Sequence, residues 1–153
     1  MMRVLKGDLI EFALAGQFDV VIHGCNCFCT MGAGIAKQIK ENFPQAYQAD
    51  LKTPLGDSKK LGTYSLADIK RDDTIFTIVN GYTQYDFSGN GPLVDYGAVK
   101  NLFSRIKKDF SHQRIGYPKI GAGLAKGDWE VISGIINKEL REENHTLVEY
   151  IKI

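Results

Sequence analysis

Two glycine-rich segments of the sequence carry the residue types that bind phosphate groups. Each follows an apolar stretch and precedes a stretch with helical spacing; they are residues 23–36 (HGCNCFCTMGAGIA) and 118–129 (PKIGAGLAKGDW). Glycine lets the backbone come close to a ligand, and a helix N-terminus offers free N–H groups and a partial positive charge. Two such loops side by side would form a cradle for a diphosphate. The alternative is that each glycine serves only a tight turn.

Neither segment matches the common phosphate-binding signatures. No stretch supplies G-x-x-x-x-G-K-[ST], and the dinucleotide fingerprint begins at Gly32 but has Lys37 where its third small residue belongs. These departures disfavour a kinase, an ATPase and a standard NAD dehydrogenase.

The first segment also places one histidine and three cysteines at every second position: His23, Cys25, Cys27 and Cys29. On a continuing strand all four would share one face, and four nitrogen and sulfur ligands suit Zn²⁺. Zinc signatures, however, use more widely spaced pairs, so we predict free thiols that pack as small apolar groups. The loops lack a carboxylate cluster suited to Mg²⁺, and the sequence predicts neither a metal nor a cofactor.

The elements that position these loops are predicted from hydrophobic periodicity. Strands are predicted near residues 2–5, 19–23, 63–69, 74–80, 114–120 and 146–152. Helical spacing covers residues 35–43, with Pro44 as a stop, then 94–110, then 129–140 with Asp128 as a cap. This alternation predicts an α/β fold, a three-layer α/β/α sandwich with a mixed, mostly parallel sheet. Ligands of such folds bind at the carboxyl ends of strands, where both segments lie.

The length and composition of the chain limit the possible fold classes and functions. The 153 residues are the size of one domain, 1–153, and the 44% hydrophobic and 24% charged fractions exclude a disordered chain or a coiled coil. A formal charge of +1 gives no support for a nucleic-acid-binding patch. No apolar run is long enough for a membrane span, and no signal peptide is visible. With three clustered cysteines, these features predict a cytoplasmic location.

Three segments in order resemble the macrodomain family, which binds ADP-ribose. They are residues 6–10 (KGDLI), residues 22–36 with their Cys-Asn-Cys and MGAGIA runs, and residues 118–124 (PKIGAGL). The resemblance favours the branch that holds yeast-type ADP-ribose 1″-phosphate phosphatases and terminal ADP-ribose glycohydrolases.

The resemblance implies a role for each loop. Asp8, beside Leu9, would accept a hydrogen bond from the adenine amino group, and Asn26 would orient the distal ribose or a nearby water. Backbone N–H groups would hold the distal ribose and the two phosphates; they belong to Gly32, Ala33, Gly34, Ile35 and Ala36 in the first segment and to Gly121, Ala122, Gly123 and Leu124 in the second. The ring that stacks on adenine or closes over the ribose stays open among Tyr82, Tyr85, Phe87 and Tyr150.

The catalytic prediction concerns phosphate removal. The glycohydrolase branch uses a lysine nucleophile and an aspartate after the Gly-x-Gly-Leu loop, but residues 80–84 (NGYTQ) contain no lysine and Ala125 stands at the second position. Hydrolysis of a phosphate monoester needs an in-line water and charge stabilisation. We predict that His23 and Asp128 handle the proton while Asn26 orients. The alternatives are that His23 is a buried residue bonded to a backbone carbonyl and that Asp128 is a plain helix cap.

The preferred function is therefore hydrolysis of ADP-ribose 1″-phosphate to ADP-ribose and phosphate. A second hypothesis is a hydrolase that removes ADP-ribose from modified protein or nucleic acid by a route without the Lys–Asp pair. A third is a non-catalytic reader of ADP-ribosylated partners.

Overall fold

The computed structural model describes residues 1–151. Within them, six strands form one sheet in the order β1-β6-β5-β2-β4-β3. The strands are β1 (Arg3–Gly7), β2 (Val20–Cys25), β3 (Tyr64–Arg71), β4 (Thr74–Tyr82), β5 (Ile115–Tyr117) and β6 (His145–Tyr150). The helices are α1 (Leu9–Leu14), α2 (Gly34–Asn42), α3 (Pro44–Leu51), α4 (Tyr96–Asp109) and α5 (Trp129–Glu139), with a short 3₁₀ turn at Ser58–Lys60.

The sheet is mixed and mostly parallel, as the sequence predicts. Strand β2 pairs in parallel with β4 and β5, β6 pairs in parallel with β1 and β5, and only the β3–β4 pair among these strands is antiparallel. The carboxyl ends of the parallel strands therefore meet along one edge of the sheet, where the loops that follow β2 and β5 leave it.

Both faces of the sheet are covered, which confirms the three-layer sandwich. Helices α1, α2 and α3 pack on one face around Ile39 and Ala46, while α4 and α5 pack on the other around Leu102 and Ile132. In β2, Val21 belongs to the first core and its neighbours Val20 and Ile22 belong to the second. A strand that is buried on both sides contains a continuous apolar run, which explains why residues 20–22 (VVI) do not alternate with polar residues.

The structure corrects several predicted boundaries. Pro44 was predicted as a stop; α2 does end at Asn42, but Pro44 is the first residue of α3. Proline fits there because the first helical N–H has no intrahelical partner in any case. The short helix α1 was not predicted, and β5 ends at Tyr117 rather than at residue 120. Strand β6 reaches Tyr150, and residue 152 of the predicted strand lies outside the described residues.

No helix within residues 1–151 is long and apolar enough to cross a membrane.

Candidate functional site

A cavity of about 410 Å³ lies where the loop of residues 26–33 (the first loop) meets the loop of residues 118–128 (the second loop). The first loop joins β2 to α2, and the second joins β5 to α5. Because β2 and β5 are parallel neighbours, both loops leave the sheet at the same edge. Residues of both loops line the cavity, together with Gly34, Ile35 and Ala36 at the start of α2. The structure thus brings the two glycine-rich segments together.

The start of α2 forms one wall of this cavity. Ala33 occupies the cap position and, having no polar side chain, makes no capping hydrogen bond. Gly34 follows with φ +58°, a conformation that favours glycine. The first N–H groups of a helix have no intrahelical partners, so this helix end is suited to hold an anion.

The second loop forms another part of the lining, and close packing and a backbone hydrogen bond hold it in place. Gly121 has φ +74°, and an added Cβ would lie 2.7 Å from Cγ2 of Val94. The N–H of Gly127 donates to the carbonyl of Gly121 at 2.7 Å, which closes the loop. Of the four residues predicted here, Gly121, Gly123 and Leu124 line the cavity, whereas Ala122 packs against the core beside α4 and α5.

A second cavity, of about 230 Å³, adjoins the first and shares Gly34, Ile35 and Pro118 with it. Asp8, Leu9 and Tyr150 line this second cavity. Oδ1 of Asp8 accepts hydrogen bonds from the backbone N–H groups of Ile10 at 2.9 Å and Glu11 at 3.1 Å, which makes Asp8 the cap of α1. These two adjoining cavities, which extend from Asp8 to the first loop, are referred to as the cleft.

The positions of the two cavities reduce the number of aromatic rings that could stack on adenine or close over the distal ribose. Phe87 lines the first cavity and Tyr150 the second, with 55% and 65% of their surfaces exposed. Tyr82 is 1% exposed and lines neither cavity. Its hydroxyl donates to Oδ1 of Asp50 at 2.7 Å, so Tyr82, one of the four candidate rings and a predicted ligand-binding residue, does not face a ligand in either cavity.

Asn26 lines the first cavity and is held in one orientation. Its Nδ2 donates to Oγ1 of Thr30 at 2.7 Å, and its Oδ1 accepts from the N–H of Phe28 at 2.8 Å. Both bonds lie within the first loop, so the loop itself fixes the amide. This agrees with an orienting role, since a side chain that is already fixed can position a ligand or a water without further ordering.

His23 lies beneath the cavity rather than in it. Its ring is fully buried, and Nε2 lies 2.7 Å from Oδ1 of Asn80 on the neighbouring strand β4. Burial lowers the pKa of His23 to about 4, so the ring is neutral at neutral pH and donates this hydrogen bond. The predicted proton exchange with a ligand is not supported by this placement. The structure matches the alternative, in which His23 is a buried residue, but its partner is the side-chain amide of Asn80 instead of a backbone carbonyl.

Asp128 also lies outside the two cavities. Its Oδ1 accepts from the N–H of Glu130 at 2.9 Å at the start of α5, and its own N–H donates to the hydroxyl of Tyr96. The side chain is therefore a helix cap, which was the alternative to its predicted catalytic role.

The three cysteines are buried free thiols. The chain leaves the strand after Cys25 and turns at Cys29, where φ is +55°. The Cys27 thiol donates to the carbonyl of Gln84, and the Cys29 thiol donates to the carbonyl of Asp50. This turn breaks the alternation on which a shared zinc-binding face depended, and no group of three or more potential metal ligands occurs within residues 1–151.

Sequence reasoning missed Asp50 as a cavity residue. Asp50 lies on α3, is 1% exposed and lines the first cavity close to the first loop. The sequence does carry a signal for this helix, because Ala46, Ala49 and Asp50 have the spacing of residues on one helix face. Since Pro44 was interpreted as a helix stop, no helix was predicted after it.

Comparisons with known proteins agree with this geometry. No protein-family model matches the chain. An uncharacterized 17.5 kDa protein from the tk-vs intergenic region of Enterobacteria phage T4 is 36% identical over 143 residues, which covers 90% of this chain and 88% of that protein. An ADP-ribose 1″-phosphate phosphatase of Debaryomyces hansenii is 29% identical over 168 residues, covering 90% of this chain and 93% of the phosphatase. Among solved structures, the macrodomain of Thermus aquaticus DarG superposes with a TM-score of 0.73 at 24% identity and covers 99% of each chain.

Proposed function

This chain belongs to the macrodomain family, and from that premise we propose that it binds ADP-ribose derivatives and hydrolyses ADP-ribose 1″-phosphate to ADP-ribose and phosphate. The observation that carries the proposal is the convergence of two glycine-rich loops and a helix N-terminus on the two adjoining cavities of the cleft. The phosphatase of Debaryomyces hansenii, which matches 90% of the chain, supports the substrate class.

The cleft orients the ligand along its length. The adenine end lies in the second cavity, where the carboxylate of Asp8 accepts a hydrogen bond from the adenine amino group and the exposed ring of Tyr150 stacks on the base. The diphosphate lies between the N-terminus of α2 and the second loop. The distal ribose then reaches the part of the first cavity that Asn26 lines.

Phosphate release in this arrangement depends on positioning and charge stabilisation. The transferred phosphoryl group needs a water in line with the leaving oxygen and donors for its own oxygens. Asn26 orients the water, and the N–H groups of the first loop and of α2 stabilise the phosphoryl oxygens. His23 supports the site from below, since it holds Asn80 and thereby the end of β2 from which the first loop starts.

The cavity also argues against the Lys–Asp glycohydrolase mechanism that the family resemblance describes. Gln84 lines the cavity in the stretch where the lysine nucleophile would fall, and Ala125, a buried apolar residue, stands in the place of the aspartate. Neither side chain can attack a ribose carbon or accept a proton. Phosphate removal does not require this pair, so it remains the function that the site supports best.

The direct test is phosphate release from ADP-ribose 1″-phosphate by the purified protein. We expect turnover by the wild type, and a loss of about 10²–10³-fold for Asn26→Ala, because one preorganised polar group in an active site contributes on that scale. Asn42→Ala is the matched control, since Asn42 is exposed at the end of α2 and its side-chain amide donates to the carbonyl of Gln38, away from both cavities. Release of ADP-ribose from a modified macromolecule without phosphate release would contradict the proposal, as would tight binding with neither product.

A further inference from the structure

One side chain of the first cavity has an oxygen that is accessible and has no hydrogen-bond partner. Gln84 is half-buried and lines this cavity. Its Nε2 donates to the backbone carbonyl of Asp86 at 2.8 Å, which fixes the amide. Its Oε1 accepts no hydrogen bond from residues 1–151 and is not among the buried polar atoms there that lack a partner, so it is open to water. The side chain therefore holds a free acceptor in a set position.

The backbone of Gln84 is enclosed by neighbouring segments. Its carbonyl accepts from the thiol of the buried Cys27, and the residue pairs with Val94 in an antiparallel bridge. The side chain is therefore the part of Gln84 that borders the cavity. Its bond to Asp86 holds it beside Phe87, which also lines the cavity.

The other side-chain oxygens around the first cavity are already engaged or out of reach. Oδ1 of Asn26 accepts from a backbone N–H of its own loop, and Oγ1 of Thr30 accepts from the Asn26 amide. One carboxylate oxygen of Asp50 accepts from a tyrosine hydroxyl, and the other is inaccessible. Among the described residues that line the cavity, Gln84 therefore carries the one accessible side-chain oxygen that accepts nothing.

The order of the strands places Gln84 at the far end of the cleft from the second cavity. That cavity, where the proposed function places adenine, is bordered by Val148 and Tyr150 of β6. The two glycine-rich loops follow β5 and β2, and Gln84 follows β4, the next strand in the sheet. A ligand whose adenine lies beside β6 and whose diphosphate lies between the loops points its distal ribose and 1″-phosphate towards Gln84.

We infer that Oε1 of Gln84 accepts a hydrogen bond from the water that attacks the 1″-phosphate, and that Gln84 thereby orients this water for in-line displacement. The inference rests on the proposed function, since it takes ADP-ribose 1″-phosphate as the substrate. Asn26 uses one of its two amide N–H groups on Thr30 and keeps the other for the same water. The two amides together then fix the lone pair of the water that faces phosphorus.

The chemistry of the step suits an acceptor of this kind. The water oxygen bonds to phosphorus while the bond between phosphorus and the 1″ oxygen breaks. One water proton ends on the 1″ oxygen, and the remaining hydroxyl stays on the released phosphate. In a loose transition state the water needs orientation more than deprotonation, and an amide oxygen accepts a hydrogen bond without taking the proton.

The test compares Gln84→Met with the wild type in phosphate release from ADP-ribose 1″-phosphate and in the binding of ADP-ribose. Methionine has a similar length but no acceptor oxygen. We expect kcat to fall about 100-fold, the scale of a misplaced reacting group. KM and the affinity for ADP-ribose should change less than about 2-fold, because the lost contact is made to the water and not to the ligand. Gln113→Met is the matched control, since Gln113 is also half-buried but lies before β5, at the opposite edge of the sheet from the cleft.

A second variant, Gln84→Ala, also removes the acceptor and keeps the inference testable if Gln84→Met fails to fold. An unchanged kcat, a parallel loss of affinity for ADP-ribose, or an equal loss of kcat in Gln113→Met would overturn the role of Gln84. If the wild type released phosphate in those cases, the proposed function would stand. If the wild type released none, both would fall.

Discussion

Replacement of Gly123 by glutamate is expected to weaken ADP-ribose binding at least about 100-fold, or 2.7 kcal/mol, without lowering the melting temperature. Gly123 lines the first cavity on the second loop, and an added Cβ there would meet nothing within 4 Å. The new side chain would therefore enter the space of the ligand instead of straining the protein. Its negative charge would also repel the diphosphate that this loop is proposed to hold.

The matched control is Gly134→Glu, which makes the same chemical change on the exposed face of α5. An added Cβ at Gly134 also meets nothing within 4 Å, and this glycine lies away from both cavities. Calorimetric titration of both variants with ADP-ribose gives the comparison. Wild-type affinity in Gly123→Glu would show that the ligand does not use the second loop, and an equal loss in both variants would indicate a non-specific effect.

Replacement of His23 by alanine is expected to lower the free energy of unfolding by about 3 kcal/mol, since it empties a buried site and leaves Oδ1 of Asn80 without its donor. For a domain of this size, that loss corresponds to a fall in melting temperature of roughly 6–12 °C. Any loss of turnover should accompany this destabilisation. An unchanged melting temperature together with abolished turnover would instead support the catalytic role that the sequence predicts.

The pH dependence of the same variant provides an independent check. The pKa of His23 is about 4 in the folded protein and about 6.5 in an unfolded chain. The unfolded state therefore binds the extra proton as the pH falls below 6.5, and the wild type loses stability down to about pH 4. His23→Ala lacks this contribution, so its stability deficit should shrink by about 3 kcal/mol between pH 7 and pH 4.

The sandwich and the two ligand loops could be predicted from the sequence because each leaves a local signal. A doubly covered strand contains an uninterrupted apolar run, as at residues 20–22, and a phosphate-binding loop needs glycine where the backbone turns or approaches a ligand, as at Gly34 and Gly121. Both signals are local, because they depend on short stretches of chain and on the side-chain periodicities of helices and strands.

The surroundings of His23 and the position of Asp50 depend on helix α3, which the sequence analysis did not predict. Asn80, the partner of His23, also donates to the carbonyl of Ala46 on α3, so this helix covers the pair from above. The same helix carries Asp50 into the cavity. Hydropathy places His23 near the end of a strand, but whether its ring is buried or open to a ligand depends on which helix lies over it. Without α3, the sequence analysis left the burial of His23 as an alternative and missed Asp50 in the cavity lining.

Calorimetric titration of the wild-type protein with ADP-ribose, with AMP as the comparison ligand, tests the central claim most directly. AMP offers the adenine end and one phosphate but cannot span the cleft to the first loop. We predict micromolar affinity for ADP-ribose, about −8 kcal/mol, and much weaker binding of AMP. The absence of detectable ADP-ribose binding would contradict the assignment of the cleft as the functional site.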